Sequence, residues 1–516
     1  MQTSLGRAAN TRLSSRTDAR ALCVLAVALA AGACHAAPRP AVAPAPPAVS
    51  PIVQLQRDID AVLARPALDR SYWGILVRSP ETGDTLYSLN AGKLLMPGST
   101  LKIVTLAAAA ERLGWDYAYD TRLIASGPID AGAGVLSGDL LVVGSGDPSI
   151  GAGDGIAAHL FADWAERLKA IGVRTITGRI VGDDNAFDDE ALGPGWAWDD
   201  LQGRDATAVS GLQYNENTVR ATIAPGASPG APAVVTLAPD GSRLDLDNQL
   251  TTTDAGTVPA IAARRSPGSN RLELRGSIPL DISEPIVRIA SVDNPTLFFV
   301  TALRNALMDA GLDVLGPASD IDDLSEAPSP EGGTLVAAHR SPPLSLLAMR
   351  LMKDSQNLYA ETLLKTIGAA GGAPTFERGR QVAGETLAPW GIAPAGLVQV
   401  DGSGLSRYNY LTPETLVTLL AHINQDARLR PPFEAALPIA GWDGTLAGRM
   451  KGTAAEGNAR AKSGTLANVR SLAGYVTSAD GRPLAFAIVA NNFGTMPEVA
   501  IAAIDDIVVK LAEFRR

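Results

Sequence analysis

The alternation of apolar and polar positions indicates strands near both ends of the chain. Residues 72–77 form an apolar run, and residues 85–89 follow a Pro-Glu-Thr-Gly-Asp turn, which together predict a β-hairpin. Residues 459–469, 471–477 and 484–491 have the pattern of further strands. Apolar residues at helical spacing lie beside the strands at each end of the chain. We therefore expect one antiparallel sheet that is built from both ends of the chain and covered by helices.

Apolar residues at helical spacing predict helices between and beyond these strands. They fall at residues 52–68, 157–171, 295–310, 344–352, 358–367 and 497–514. Between about 120 and 289 the chain becomes rich in Gly, Asp and short strand-like runs, which predicts an inserted, mainly β region of one or two domains. The expected fold is α/β (α+β), with a main domain divided into residues 52–119 and 290–516.

One predicted helix carries a lysine whose charged form would be costly in free energy to bury. Residues 96–110 read MPGSTLKIVTLAAAA, and Lys102 is the only charged residue of an otherwise apolar run. Ser99 lies one turn before Lys102, so the two side chains share a helix face. Burial favours the neutral amine, which could then accept the serine proton. The alternative is that Ser99 caps the helix while Lys102 extends to water.

Two later segments offer matching chemistry. Ser355 and Asn357 precede the helix of residues 358–367, although Ser355 taken alone could be an N-cap. Lys462-Ser463-Gly464-Thr465 lies in a predicted strand, where a glycine often marks the close approach of a ligand backbone. Such a strand can offer a cation, two hydroxyls and a backbone N–H for an oxyanion.

Composition and the N-terminal residues limit the function classes. A chain of 516 residues predicts two to four domains, and 46% hydrophobic with 19% charged residues indicates a globular protein. The net charge of −10 argues against nucleic-acid binding. Four arginines precede an apolar run at 21–33, which predicts a signal peptide over residues 1–33 and an exported, periplasmic protein.

Cleavage after residue 33 would leave Cys34 at the start of a Pro/Ala linker, residues 34–51. Lipidation of Cys34 would attach the protein to a membrane, although Ala31 stands where the bacterial lipobox prefers Leu. Cys23 and Cys34 are the only cysteines, so no disulfide is expected in the exported domains.

The order S-x-x-K, S-x-N, K-[ST]-G resembles the penicillin-recognising serine acyl transferases. The long stretch between Ser99 and Ser355 is similar to the insertion of the class C low-molecular-mass penicillin-binding proteins, which are periplasmic serine D-Ala-D-Ala carboxypeptidase/endopeptidases. Five further segments also look like that family, at residues 137–148, 195–200, 214–217, 401–407 and 462–466. The resemblance implies a transpeptidase-like domain that acts on peptidoglycan stem peptides and their cross-links and is inhibited by β-lactam antibiotics.

The resemblance also implies roles for individual residues. Ser99 would attack the carbonyl between two D-alanines, and Lys102 would take its proton. Backbone N–H groups of Ser99 and Thr465 would hold the oxyanion. The remaining assignments are Ser355, Asn357 and Lys462 for proton relay to the leaving amine, and Ser463, Gly464 and Thr465 with Lys462 for binding of the terminal carboxylate.

Side-chain selectivity is assigned by match to Trp196, Asp199 and Arg407, which would hold the diaminopimelate end of the stem peptide. Residues 201–205 read LQGRD and depart from the Pro/Tyr-containing segment usual in the family. Simple packing is the alternative for Trp196 and Trp198.

Two other functions share these motifs. A serine β-lactamase would need a further base for fast deacylation, and the sequence offers no candidate. A non-catalytic peptidoglycan-binding scaffold would not need a nucleophile and a base together. Neither a metal nor a cofactor is expected, since H-E-x-x-H and C-x-x-C are absent from the sequence. Whether the chain forms a homodimer is left open.

Overall fold

The computed structural model describes residues 50–266 and 268–516. The predicted signal peptide, Cys34 and all but the last two residues of the predicted linker lie outside the described residues. Within the described part, no helix is both long and apolar enough to span a bilayer.

Every predicted helix and strand is present, although the first helix ends at Leu63 and not at residue 68, and the helices Phe376–Leu387, Pro413–Gln425 and Arg430–Ala436 were not predicted. The helices are α1 (Pro51–Leu63), α2 (Lys102–Leu113), α3 (Ile156–Ala170), α4 (Pro295–Asp309), α5 (Leu344–Lys353), α6 (Asn357–Ala370), α7 (Phe376–Leu387), α8 (Pro413–Gln425), α9 (Arg430–Ala436) and α10 (Pro497–Glu513). The strands are β1 (Tyr72–Arg78), β2 (Thr85–Leu89), β3 (Asp120–Ser126), β4 (Ile129–Asp130), β5 (Val135–Leu136), β6 (Asp139–Val143), β7 (Thr175–Ile176), β8 (Ile180–Asp183), β9 (Thr218–Ala224), β10 (Val234–Ala238), β11 (Asp245–Thr253), β12 (Ala260–Arg265), β13 (Arg271–Pro279), β14 (Ile286–Ser291), β15 (Asp313–Val314), β16 (Ala318–Asp320), β17 (Thr334–Arg340), β18 (Leu397–Val398), β19 (Tyr410–Leu411), β20 (Arg460–Leu466), β21 (Val469–Thr477) and β22 (Pro483–Asn491).

The main sheet joins the two ends of the chain, as predicted. Its order is β2-β1-β22-β21-β20, with antiparallel pairing throughout. Side chains of β22 alternate between two cores because successive strand residues point to opposite faces. Phe486 and Ile488 pack in the core that includes residues of α1 and α10, whereas Ala485 and Ala487 pack in the core that includes α2 and α5 to α8. The sheet is therefore enclosed by helices on both faces.

The inserted region differs from its prediction in both extent and composition. Strand β17 pairs with β3, and β16 pairs with β8, so the sheet β16-β8-β6-β3-β17 draws on residues up to Arg340. Helices α3 and α4 belong to the same core, so the region is mixed rather than mainly β. The sheet and the core of the inserted region therefore extend past residue 289, as far as Arg340. Two three-stranded sheets, β10-β9-β14 and β11-β13-β12, complete the insertion.

The last two strands of the main sheet fix the turn that precedes α2. The side chain of Asn491 accepts a hydrogen bond from the backbone N–H of Met96 (2.8 Å) and donates one to its carbonyl (3.0 Å). Ser471 Oγ on β21 donates to the carbonyl of Pro97 (2.5 Å). These contacts hold the start of the Ser99 turn against the sheet.

Phe299 on α4 tests whether this helix stabilises the core of the inserted region. It is fully buried and packs against Trp164 of α3, with ring centroids 6.4 Å apart. We expect Phe299→Ala to lower the free energy of unfolding by about 3–5 kcal/mol, because it leaves a cavity in a shared core. Urea denaturation followed by circular dichroism measures this, with Met308→Ala on the exposed side of α4 as the control. A Phe299→Ala effect as small as that of the control would contradict the assignment of α4 to this core.

Candidate active site

Ser99 lies in a single 3-10 turn, Gly98–Leu101, that leads directly into α2. Its side chain makes no capping hydrogen bond, so the N-cap interpretation is wrong. The prediction of a buried helix is confirmed, since every residue of α2 from Lys102 to Ala110 is buried. Lys102 itself is 0% exposed and does not reach water.

Three acceptors from separate parts of the chain surround the amine of Lys102. Lys102 Nζ donates to Ser99 Oγ (2.9 Å), to Asn357 Oδ1 (2.5 Å) and to the carbonyl of Ser403 (2.9 Å). Burial lowers the pKa of Lys102 to about 8, although the nearby carboxylates of Glu361, Asp401 and Asp205 act in the opposite direction. The amine is thus placed to exchange a proton with the Ser99 hydroxyl near neutral pH.

The S-x-N segment is held in a strained conformation. Ser355 has φ +57°, a left-handed value that is costly for a residue with a side chain and that tends to occur at functional sites. Helix α6 begins at Asn357 with Gln356 as its N-cap, so the interpretation of Ser355 as a cap is wrong. Asn357 Nδ2 donates to the carbonyl of Asp205 in the inserted region (2.7 Å). The amide of Asn357 therefore bridges Lys102 and the insertion.

Lys462 lies on β20 opposite the S-x-N segment. Its Nζ donates to Ser355 Oγ (2.8 Å) and to the carbonyl of Ser463 (2.7 Å). The side chain is fully buried and forms no salt bridge with a described residue. Burial first, and then the charge of Lys102, hold the pKa of Lys462 well below its usual range.

Gly464 allows β20 to approach the turn that carries Ser99. A Cβ atom at Gly464 would lie 3.0 Å from the backbone nitrogen of Ser99 and would clash with Ser471 Oγ and the carbonyl of Pro97. A Cβ atom at Gly98 would similarly lie 2.9 Å from the backbone nitrogen of Thr465. The backbone amides of Ser99 and Thr465 therefore both lie where β20 meets the Ser99 turn. Beside it, Ser463 Oγ donates to Thr445 Oγ1 (2.7 Å).

The three residues assigned to binding the substrate's side chain, Trp196, Asp199 and Arg407, lie in one region but differ in their exposure to solvent. Trp196 Nε1 donates to the buried carboxylate of Asp401 (3.0 Å), which joins the insertion to the loop of residues 401–407. Asp199 is exposed and Arg407 is half-buried. Burial and the charge of Asp199 raise the pKa of Asp200, while Arg407 opposes this shift, so these charged groups are neighbours.

Comparison with known proteins identifies the family. The sequence matches the D-Ala-D-Ala carboxypeptidase 3 (S13) family over residues 55–514. The chain belongs to this family. It is 36% identical over 476 residues to the D-alanyl-D-alanine carboxypeptidase of Actinomadura sp. (strain R39), which covers 90% of this chain and 85% of that protein.

Solved structures agree with the S13 assignment. The crystal structure of penicillin-binding protein 4 (dacB) from Haemophilus influenzae has a TM-score of 0.75 at 25% identity and covers 90% of this chain and 98% of that one. The same Haemophilus protein complexed with a novel β-lactam has a TM-score of 0.70 at 24% identity, with 89% and 98% coverage. The predictions of the fold and of a serine-type D-Ala-D-Ala carboxypeptidase are confirmed. The comparisons favour this function over the β-lactamase and scaffold alternatives.

One residue of this S13 site was missed in the sequence. Glu361 on α6 is fully buried and accepts hydrogen bonds from the backbone N–H groups of Gly402 (2.7 Å) and Ser403 (2.8 Å). It thereby orients the Ser403 carbonyl toward Lys102. Burial, and then the charge of Asp401, raise the pKa of Glu361 to about 8. The sequence carried a signal for this residue. Glu361 is the one acidic residue of an apolar helix, and it lies four residues after Asn357, on the same helix face.

Gly464 tests the contact between β20 and the Ser99 turn. We expect Gly464→Ala to lower the rate constant for acylation by benzylpenicillin about 100-fold or more, because the added methyl group displaces β20 from the Ser99 amide. Stopped-flow or quenched mass spectrometry measures the rate. The control is Gly384→Ala on α7, where a methyl group meets no atom within 4 Å. If the Gly464→Ala variant were acylated at the rate of the control, the close contact of β20 with the Ser99 turn would not be needed for acylation.

Proposed function

We propose that Ser99 is the nucleophile of this S13 carboxypeptidase and that Lys102 is its base. The observation that carries the proposal is the 2.9 Å hydrogen bond between Lys102 Nζ and Ser99 Oγ, made by a fully buried amine whose pKa is lowered to about 8. A neutral amine takes the hydroxyl proton as Ser99 Oγ bonds to the carbonyl carbon between the two D-alanines. The product of this step is a tetrahedral intermediate that carries an oxyanion.

Backbone N–H groups of Ser99 and Thr465 stabilise that oxyanion in the proposed mechanism. The close approach of Gly464 to Ser99 and of Gly98 to Thr465 supports this assignment, because it brings both backbone amides to the place where β20 meets the Ser99 turn. Preorganised donors of this kind lower the barrier, since they need not reorient as negative charge develops. The terminal carboxylate of the substrate is bound by the Ser463 and Thr465 hydroxyls with Lys462.

The leaving amine needs a proton when the C–N bond breaks. We assign its delivery to the Ser355 hydroxyl, which accepts a hydrogen bond from Lys462 Nζ, with Asn357 holding the peptide and Lys102 together. D-alanine leaves, and the acyl group stays on Ser99 as an ester. The proton taken from Ser99 passes from Lys102 through the Ser355–Lys462 relay to the leaving amine, so Lys102 is neutral again. Water then attacks the ester carbonyl and gives a proton to Lys102, which passes it to Ser99 Oγ as the ester C–O bond breaks, and the shortened stem peptide is released. This chemistry uses side chains and backbone alone.

The substrate is a peptidoglycan stem peptide, and β-lactams acylate the same serine because they present a strained amide in place of the D-Ala-D-Ala bond. Asp199 and Arg407 contact the charged end of the third residue, while Trp196 supports them through Asp401. Export by the predicted signal peptide would bring the enzyme to its substrate. Lipidation of Cys34 stays a prediction from the sequence, and the question of a homodimer is left open.

The first test is the intact mass of the protein after brief exposure to benzylpenicillin. We expect a stable adduct on the wild type and none on Ser99→Ala, because the acyl-enzyme ester forms at that hydroxyl. Ser228→Ala, at an exposed loop position of the insertion, is the matched control and should be acylated normally. An adduct that disappears within seconds while the drug is consumed would instead indicate a β-lactamase. Absence of any adduct would indicate a binding protein.

The second test is the pH dependence of acylation. Only neutral Lys102 can accept the proton, so the rate constant should rise with pH and reach half its maximum near pH 8. Lys102→Arg keeps its charge at every accessible pH, and we expect acylation to fall about 10²–10⁴-fold. Lys93→Arg, at an exposed position, is the control. A flat profile between pH 6 and 10 would exclude Lys102 as the base.

A further inference from the structure

The segment of residues 214–217, Tyr-Asn-Glu-Asn, has no role in the proposed mechanism, yet its backbone is held in a costly conformation. Asn215, Glu216 and Asn217 are consecutive residues with positive φ, at 51°, 53° and 55°. Asparagine tolerates this left-handed region, whereas a residue such as glutamate adopts it rarely. Strain of this kind persists where the surroundings impose it, and it concentrates at functional sites.

The two asparagines fix this turn from within the insertion. Asn215 Nδ2 donates to the carbonyl of Thr218 (2.7 Å), and Asn217 Nδ2 donates to the carbonyl of Ala208 (2.8 Å). Glu216 stands between these two anchors, so its backbone follows the turn that they fix. The conformation directs its side chain away from the insertion, where both carboxylate oxygens find their donors.

The carboxylate of Glu216 connects the two neighbours of Ser355. Glu216 Oε2 accepts from Gln356 Nε2 (2.5 Å), and Glu216 Oε1 accepts from Arg350 Nε (2.8 Å). Arg350 Nη1 also donates to Asp354 Oδ2 (2.6 Å). Asp354 directly precedes Ser355 and Gln356 directly follows it. Ser355 therefore lies in a loop whose two sides are tied to each other through the ion pair of Arg350 and Glu216.

This tie acts on a residue that is itself strained. Ser355 has φ +57°, and its hydroxyl accepts from Lys462 Nζ (2.8 Å). Gln356 is 2% exposed, and its Oε1 accepts from the backbone N–H of Leu358, which caps α6. The amide of Gln356 is thus fixed with its oxygen toward α6 and its nitrogen toward Glu216. Without the Glu216 carboxylate, the loop could relax toward a common backbone conformation and carry the Ser355 hydroxyl with it.

We propose that Glu216 is a positioning residue for the reaction, which holds the Ser355 hydroxyl where it protonates the leaving amine. The inference rests on the proposed function, in which that hydroxyl delivers the proton. Proton transfer needs the hydroxyl within hydrogen-bond reach of the nitrogen, so a small displacement costs rate. Glu216 acts through Gln356 and Arg350 and not by contact with the substrate. The insertion thereby assists the departure of the amine.

The test compares two substrates that differ in whether the leaving group needs a proton. One is a stem-peptide fragment ending in D-Ala-D-Ala, whose C–N bond breaks as Ser355 protonates the nitrogen. The other is its thioester analogue, in which sulfur replaces that nitrogen and the C–S bond breaks to release a thiolate, which leaves without a proton. For both, kcat/KM reports acylation. The ratio of the two values does not depend on the fraction of the protein that is folded.

Glu216→Gln removes one acceptor with little change of shape. An amide at this position leaves one of the two donors, on Arg350 or on Gln356, without an acceptor. We expect kcat/KM for the peptide to fall about 30-fold and that for the thioester to fall less than about threefold. Ser355→Ala gives the full effect on the ratio. Glu284→Gln, at an exposed position of the insertion, is the matched control and should leave both values unchanged.

A reciprocal exchange provides the rescue. In the double variant Glu216→Gln with Gln356→Glu, donor and acceptor change places: the new amide donates to the new carboxylate and still offers its oxygen to Arg350. The new carboxylate still offers an oxygen to the backbone N–H of Leu358. We expect kcat/KM for the peptide to return to within about threefold of the wild-type value, because each hydrogen bond has a counterpart.

Equal losses for the peptide and the thioester in Glu216→Gln would overturn this role, since they would show a general structural effect. Unchanged activity of Glu216→Gln would also overturn it, and so would a double variant as impaired as the single one. The proposed function fails separately, through a ratio that Ser355→Ala leaves unchanged or through the absence of a penicillin adduct on Ser99. If Ser355→Ala lowers the ratio and Glu216→Gln does not, the proton relay stands and only the role of Glu216 is rejected.

Discussion

The burial of one amine is the constraint that assembles this active site. Lys102 emerges at the first residue of a helix that is buried over its next eight residues, so its Nζ cannot reach water. A buried ammonium or amine is costly unless its donors are satisfied. Its three acceptors come from the Ser99 turn, the S-x-N segment and the 401–407 loop, which forces segments far apart in sequence to meet. The geometry for proton transfer follows from the need to satisfy this group.

The insertion takes part in the site instead of standing apart from it. The carbonyl of Asp205 accepts from Asn357, Glu216 binds Gln356, and Trp196 binds Asp401. Each of these contacts reaches a segment that also touches Lys102 or lies beside it. Residues of the insertion therefore set the orientation of the S-x-N segment, whose strained Ser355 would otherwise relax toward a common backbone conformation.

The sequence predicted the five strands of the main sheet and most of the helices, because apolar periodicity is a local signal. A charged residue in an apolar helix is another local signal, and the structure brings the motif of that helix together with the S-x-N segment and the segment of Lys462. Other features had no such signal. Helix α4 has the same apolar pattern whichever core it joins, so the boundary near 340 needed the pairing of β17 with β3. The carbonyls of Asp205 and Ser403 act through the backbone, which no side chain reveals. The role of Glu361 appears only once the 401–407 loop is placed against α6.

The pairing of β1 with β22 has a consequence for how the chain acquires its chemistry. Tyr72 lies opposite Asn491, and the same Asn491 holds the backbone of Met96 in the turn that carries Ser99. Ser99, the proposed nucleophile, is thus ordered by a residue near the opposite end of the polypeptide. Contacts of such long sequence separation form late, because loop closure must come first. An incomplete chain that lacks β22 therefore contains Ser99 and Lys102 but not the contacts that hold the Ser99 turn, so the two side chains are placed together only when the final strand has entered the sheet.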